Sequence, residues 1–340
     1  MQPVTCSPAR GWLGFPPSEQ GGPICSSPLR KYLKRESAVK KFPPQHFSIT
    51  TLNIIATITT TKMTTTTTTI PTLTAHTHAK SQYTTTSSRL AARLSIHNYN
   101  THPQSWFQFA QTFIPKSGSI LEVGAGTGAL WSPPAISSPS QLSSVTSLTL
   151  TDFSPAMVAT LNSNSDIAAL KSILPNVKIQ QCDAASLPFP DSEFDTVVAN
   201  HMLYHVDNPI AALQEFKRVL KDGGRLVVAL NGLDHLRELF EIGGMVGRGS
   251  TIAGLAKITA ENALEQIEGA GFEGVESERF PGEFRLPGVE PVLEYLDSVG
   301  ETDMEEGKRE TVKRVVGERL DEGEGFRVEK NMVVFVGRKP

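Results

Sequence analysis

Acidic side chains are nearly missing from the first 94 residues, which hold two Asp/Glu against eleven Lys/Arg, about +9 by formal count. Residues 95–340 carry 21 basic and 33 acidic residues, about −12, so the overall net charge of −3 hides two unlike segments. A domain that acidic is poorly suited to tracking a phosphate backbone, which argues against a nucleic-acid partner. Cysteine is scarce too. Cys6, Cys25 and Cys182 form no CxxC pair or evident disulfide framework, which suits a reducing compartment. No run of 18 or more apolar residues occurs, so no membrane span is expected. What remains is an ordinary balance for a soluble domain, 39% hydrophobic and 20% charged, in a chain long enough for a large core.

Residues 1–88 are rich in Ser, Thr and Pro, and "TTTKMTTTTTTIPTLTAHTHAKSQYTTTSS" sustains neither a helical nor a strand period. The expectation is a disordered low-complexity tail. It reads as a plain tail or as upstream sequence joined in error to a chain starting at Met63, in preference to a transit peptide, because no clean amphipathic basic helix is present. The plain readings leave the protein cytoplasmic; a transit peptide would make it mitochondrial. From residue 89 the pattern alternates. "SRLAARLSIHNYN" and "PQSWFQFAQTFI" read as helices, the second with Trp106, Phe109, Ala110 and Phe113 on one face. Apolar runs at 119–123, 147–151, 177–181, 194–199 and 224–230 read as strands of a parallel sheet covered by helices. The clearest helix is expected over Asn208–Leu220, with Asn208 as N-cap, Pro209 in the first turn and Gly223-Gly224 as its stop.

"SILEVGAGTGALW" is a strand entering a glycine turn, with a helix expected beyond it. Gly124, Gly126 and Gly128 let the chain turn sharply and let a ligand approach the backbone, and a helix N-terminus would offer N–H groups to a negative group. Taken alone, Gly124-x-Gly126-x-x-Ala129 also satisfies the dinucleotide pattern, which makes a nicotinamide enzyme the first reading. Glu122, two residues before the first glycine, suits a zwitterionic sulfonium ligand better than a pyrophosphate. Acidic residues recur at the ends of the next two strands. Asp152 follows "SLTLT", where a carboxylate accepts from ribose hydroxyls, and Asp183 follows "VKIQQC", within reach of an adenine amino group. Each has a bland alternative as turn former or strand-end cap; as an ordered set these alternatives lose ground.

At these residues the chain resembles the class I S-adenosylmethionine-dependent methyltransferases, over roughly 95–340. "ILEVGAGTG" looks like the glycine-rich first motif, "LTLTDFSPAMV" the acidic second-strand motif, and "CDAASLPFPDSEFDTVVANHMLYHV" the third- and fourth-strand block. "EFKRVLKDGGRLVVALNG" looks like the lead into the fifth strand, and "ANHMLYHV" is similar to a small-molecule subgroup related to the quinone-biosynthesis C-methyltransferases. The resemblance implies S-adenosyl-L-methionine as cofactor. It would place Glu122, Gly124, Ala125, Gly126 and Gly128 around the methionine moiety and Asp152 on the ribose. Phe153 and Met157 would lie near the adenine, Asp183 and Ala184 on its edge, and Asn200 beside the sulfonium. The implied fold is α/β: a doubly wound, mostly parallel seven-stranded Rossmann-like sheet with helices on both faces and a helical lid.

Methyl transfer needs a base only where the acceptor must lose a proton. His201 and His205 fall at the carboxyl end of the fourth strand and would share a face if helical, with Tyr204 pointing elsewhere. Base, acceptor-orienting and scaffold roles all stay open for them. No metal is expected, because no third ligand stands near the pair. Beyond the fifth strand, "GLDHLRELFEIGGMVGRG" and "TAENALEQIEGAGF" read as helices, and "VESERF" and "NMVVFVGRK" as the last strands. Residues 287–322 read as a charged helical insertion in the domain spanning 89–340. With the helices at 89–114 it would roof a pocket for a small-molecule acceptor, or simply present a solvated face. The oligomeric state is not legible. The competing functions are a nicotinamide-dependent oxidoreductase and a catalytically silent, methyltransferase-like binding protein.

Overall fold

The computed structural model describes residues 92–340 except 134, 137, 175, 250, 251, 301 and 322, together with 74, 75 and 77. Apart from those last three, the tail expected over 1–88 lies outside the described residues. The described residues fall in one compact unit, 68–340.

Seven strands form one sheet in the order β3-β2-β1-β4-β5-β9-β6. They are β1 (Ser117–Val123), β2 (Ser144–Asp152), β3 (Val177–Gln181), β4 (Phe194–Asn200), β5 (Leu220–Asn231), β6 (Glu273–Arg279) and β9 (Met332–Arg338). β1 to β5 are mutually parallel, and β9 runs antiparallel to both β5 and β6. The central strands are apolar on both faces, as a doubly covered sheet requires. Ile120, Leu148, Leu150, Val198 and Val227 pack to one side. Their chain neighbours Leu121, Val197, Ala199, Leu226 and Val228 pack to the other.

Helices cover both faces. On the first lie α1 (Trp106–Gln111), α2 (Pro155–Ser163) and α3 (Ser165–Lys171), contributing Trp106, Phe109, Leu161 and Ile167 to that core. On the second lie α4 (Pro209–Val219) and α6 (Ala263–Gly269), contributing Leu213, Phe216 and Ile267. α1 starts at a reciprocal capping box of Ser105 and Gln108. α4 starts where Asn208 accepts from the N–H of Ala211 at 3.2 Å. The seven-stranded, doubly wound arrangement agrees with the expectation.

Several local expectations need correction. α4 does not run to the glycine pair: Leu220 is already extended and paired with Phe194, and Gly223-Gly224 lie inside β5. The register jumps there from Phe194↔Leu220 to Thr196↔Arg225, so the glycines absorb extra residues instead of ending the helix. The helix expected after the glycine turn is missing. Residues Ala129–Trp131 and Pro139–Leu142 form only short 3-10 turns, since proline at 133, 134 and 139 denies the segment the N–H groups of a continuous helix. Over 95–99 the chain likewise winds as a 3-10 turn.

The insertion is more than helical. Its helices α7 (Glu290–Val299) and α8 (Glu306–Glu318) stand on a two-stranded antiparallel ribbon, β7 (Phe284–Leu286) with β8 (Phe326–Val328). Together with α5 (Arg237–Met245) they enclose a third core of Leu239, Ile242, Phe284, Val292, Leu296 and Val316. Ile96 of the N-terminal segment belongs to the same core, so both ends of the domain meet there.

Candidate active site

The strand order reverses between β1 and β4, and open α/β sheets hold ligands in the crevice outside the strand ends at such a point. A cavity of about 420 Å³ opens there. Glu122, Gly124, Ala125, Gly126, Asp152 and Asn200 line it, as do Phe153, Met157, Asp183 and Ala184. Gly128 does not line it. A Cβ at Gly128 would stand 3.0 Å from both Ile167 and Leu161, so its role is close packing of the turn against α2 and α3.

The glycine turn is tied down by one carboxylate in place of a helix. Asp152 accepts from the N–H of Gly126 at 2.9 Å and of Ser154 at 2.8 Å, tying the end of β2 to the turn after β1. Burial raises its pKa, against which the backbone donors of Ser154 and Gly126 work. Gly126 has φ +57° and open space where a side chain would project, so the backbone there faces the cavity bare. Glu122 is 1% exposed and accepts from the Trp131 indole N–H at 2.5 Å. Burial pushes its pKa up to about 8, with the Trp131 bond opposing and the Asp152 charge adding to the rise. On the far rim Asp183 accepts from the N–H of Ala185 at 2.9 Å. The loop after it is clamped by Arg218, which donates to the carbonyls of Leu187 and Phe189 and pairs with Glu215 and Asp191.

Asn200 ends β4 and accepts from the Trp106 indole N–H at 3.2 Å, which docks α1 against the strand end. The next residue, His201, sits at φ +54°, a conformation histidine adopts more readily than most side chains. Its N–H still donates to Ala229 at 3.0 Å, and its ring lies 4.7 Å from that of Trp106. His201, Tyr204 and His205 all line the cavity. Their segment is a 3-10 turn over Leu203–His205, not an α-helix, so Tyr204 faces the same space as the histidines and does not point away. The tighter turn carries its ring to 4.5 Å from that of His205.

Beyond the sequence-predicted set, the cavity gathers His97, His235, Phe284 and Tyr295. Desolvation, reinforced by Lys330, lowers the His97 pKa to about 4. Desolvation, with charges at His97, His205 and Lys330, lowers that of His201 to about 3. His235 is held well below its ordinary value, first by burial. Its Nδ1 accepts from the N–H of Asn331 at 3.2 Å, which fixes the ring proton on Nε2. Lys330 is 1% exposed and donates to Asn100 at 2.7 Å, its ammonium 3.8 Å from the Phe280 ring centre and 4.7 Å from that of Phe284. Burial lowers its pKa to about 7. These residues come from segments 97, 235 and 330; no local period marks them, and only a buried-lysine reading of "VEKNMVVF" would have hinted at one. Among the described residues, no three His, Cys, Asp or Glu side chains group to hold a metal ion, and no helix is long and apolar enough to cross a membrane.

Comparison with known proteins bears on the same region. The methyltransferase domain family matches residues 121–228, which run from β1 through most of β5. Phosphatidylethanolamine N-methyltransferase of Cereibacter sphaeroides is 30% identical over 159 residues, 45% of this chain and 73% of that protein. A ubiquinone/menaquinone biosynthesis C-methyltransferase of Marinomonas sp. is 33% identical over 119 residues, 35% of this chain and 45% of the relative, so the match spans under half of that protein. Among solved structures, a putative methyltransferase from Bacillus halodurans has a TM-score of 0.48 at 18% identity, covering 69% of this chain and 99% of that one. A Haemonchus contortus phosphoethanolamine N-methyltransferase, in complex with S-adenosylhomocysteine, has a TM-score of 0.45 at 20% identity, covering 74% of this chain and 57% of that one. With the ordered motifs and the strand order of the sheet, the methyltransferase-domain match and the 30% identity over 73% of the Cereibacter sphaeroides enzyme decide the family: the chain belongs to the class I S-adenosylmethionine-dependent methyltransferases.

Proposed function

We propose that the cavity holds S-adenosylmethionine along its glycine-turn side and passes the methyl group to a small-molecule acceptor entering under the lid. The observation that carries this reading is the convergence of Glu122, the bare backbone at Gly126, Asp152, Asp183 and Asn200, from four separate strand ends, on one cavity. Glu122 and the turn Gly124–Gly126 would receive the amino-acid end, and Asp152 the ribose hydroxyls. Asp183 and the backbone of Ala184 would read the adenine edge between Phe153 and Met157, with Asn200 beside the sulfonium. The cofactor supplies an activated methyl whose sulfur leaves neutral. The protein supplies alignment and a dry acceptor chamber. Two relatives whose names refer to phosphatidylethanolamine and to quinone biosynthesis favour a small molecule as acceptor.

Calorimetry on the full chain tests the first half: S-adenosylhomocysteine binds with a Kd in the micromolar range and NAD does not. Heat from NAD alone would overturn the reading. Methyl-labelled cofactor incubated with the protein and a metabolite extract tests the second half, with the label expected in a low-mass product.

A further inference from the structure

The lid side of the cavity differs chemically from the glycine-turn side. Glu122, Asp152 and Asp183, the acids lining the cavity, stand at or just beyond the ends of β1, β2 and β3. The lid side is built from rings, among them Phe107, Phe284, Tyr295 and the imidazoles of His97, His201 and His235. Among the described residues, His97 Nδ1 and both ring nitrogens of His201 have no hydrogen-bond partner although solvent does not reach them. Buried polar groups left unpaired cost about 1–3 kcal/mol each, so these nitrogens mark places where a ligand atom recovers free energy. His235 adds a donor of fixed direction, because Asn331 occupies its Nδ1.

Behind this wall stands Lys330. Its ammonium lies over Phe280 and Phe284, and those rings carry the arrangement to the histidines. Phe284 meets His97 edge-on at 5.4 Å, and Phe280 meets Trp106 at 5.8 Å, which in turn lies on His201. Lys330 thus places a cation on one face of Phe284, so positive charge already stands behind the aromatic wall. An ammonium acceptor entering here would meet positive charge and no lid-side carboxylate. A hydroxyl on a flat ring meets the opposite: aromatic walls, vacant nitrogens to accept its proton, and, behind those walls, the Lys330 ammonium, whose charge favours a developing oxyanion over a cation.

Building on the methyltransferase reading, we propose that the acceptor is an aromatic hydroxyl compound, bound with its ring among Phe107, Phe284 and Tyr295 and its hydroxyl on His201 or His97. In the transfer the O–H proton moves to a vacant imidazole nitrogen, the oxygen pair forms a bond to the methyl carbon, and the carbon–sulfur bond breaks with its pair kept by sulfur. An oxyanion beside the imidazole favours its protonated form, so the low basicity of the buried ring rises as the oxygen ionises.

The test uses the full-length protein saturated with S-adenosylhomocysteine and three probes of similar ring size: para-cresol, toluene and benzylamine. Binding is read by calorimetry, without turnover. para-Cresol is expected to bind about tenfold more tightly than toluene, the worth of one or two hydrogen bonds, and benzylamine more weakly than either at pH 7. His97→Phe, which keeps a ring of similar shape, is expected to narrow the cresol-to-toluene ratio at least threefold while S-adenosylhomocysteine still binds. Equal binding of cresol and toluene, or a preference for benzylamine, overturns the proposal. Failure of S-adenosylhomocysteine to bind sinks the methyltransferase reading itself, so the two outcomes are distinct. The ligand series on the unaltered protein decides the matter even where the variant does not fold.

Discussion

At the residue scale, Asp152 does two jobs that oppose each other. Its oxygens hold the N–H groups of Gly126 and Ser154, and the proposed ribose hydroxyls would approach the same carboxylate. Charged acceptors make hydrogen bonds worth roughly 1.5–3 kcal/mol each, and two are at stake before any ligand binds. Asp152→Asn turns one acceptor oxygen into an NH₂ that confronts a backbone donor. It is therefore expected to loosen the glycine turn and weaken S-adenosylhomocysteine affinity by about tenfold or more, measured by calorimetry. An unchanged Kd would show that the turn is held by Ala125 N–H on Thr151 and by the packing under Gly128 alone. This residue was legible in the sequence only as part of the ordered set of motifs, since alone an acid before Ser154-Pro155 reads equally well as a turn former, the role its acceptance from the Ser154 N–H also fills. Lys330, His97 and His235 were not: their meaning lies in a convergence of three distant segments, which the sheet topology creates and no local spacing announces.

At the element scale, the insertion on β7 and β8 depends on one buried guanidinium. Arg248 follows α5 and donates to the carbonyls of Leu296 at 3.0 Å, of Asp297 at 3.3 Å and of Thr302, capping the C-terminal end of α7. Its side chain is only 10% exposed, so water cannot readily replace it. Arg248→Ala leaves those carbonyls unpaired and is expected to cost on the order of 2–4 kcal/mol. Hydrogen exchange should rise through 290–318 while the amides of β1 and β4 keep their protection. Gly300→Ala should reproduce the pattern from the other side, since a Cβ there would lie 2.0 Å from the Arg248 Nη1. Equal loosening of β1 would mean that the lid and the sheet unfold as one unit. The helices of this insertion were legible as a charged helical segment over 287–322, whereas β7 and β8, at three residues each, are too short to show an alternation. The same limit explains the turn at Leu203–His205, where three residues decide between two helix types.

At the scale of the whole molecule, β4 and β5 were legible because Val197–Ala199 and Leu226–Leu230 are continuous apolar runs, as a strand buried on both faces requires. β2 and β3 instead interleave Leu, Val and Ile with Thr, Lys and Gln, and were read from their place in the alternation of strands and helices. The cost of the lid-side cluster was not legible, and it is paid globally, in stability against pH. His97 and His201 stay neutral in the folded protein down to about pH 4 and 3, whereas in the unfolded chain each takes a proton near 6.5. As pH falls through this interval the unfolded state binds the extra protons, so stability drops from about pH 6.5 until each folded pKa is reached. Lys330 works in the alkaline range with the same sign. Its folded pKa is about 7 against 10.5 unfolded, so over that interval the unfolded state again holds the extra proton and stability rises with pH. One proton is worth up to about 1.4 kcal/mol per pH unit, and Lys330→Met removes that slope. The wild-type protein is accordingly expected to gain stability in urea melts from pH 7 to pH 10, against the fall that general charge repulsion would cause. Lys330→Met should start more stable at pH 7 and show no such gain, and His97→Phe should flatten only the acid limb. Parallel profiles for wild type and Lys330→Met would place the ammonium in water, and with it remove the buried cation from behind the lid-side wall.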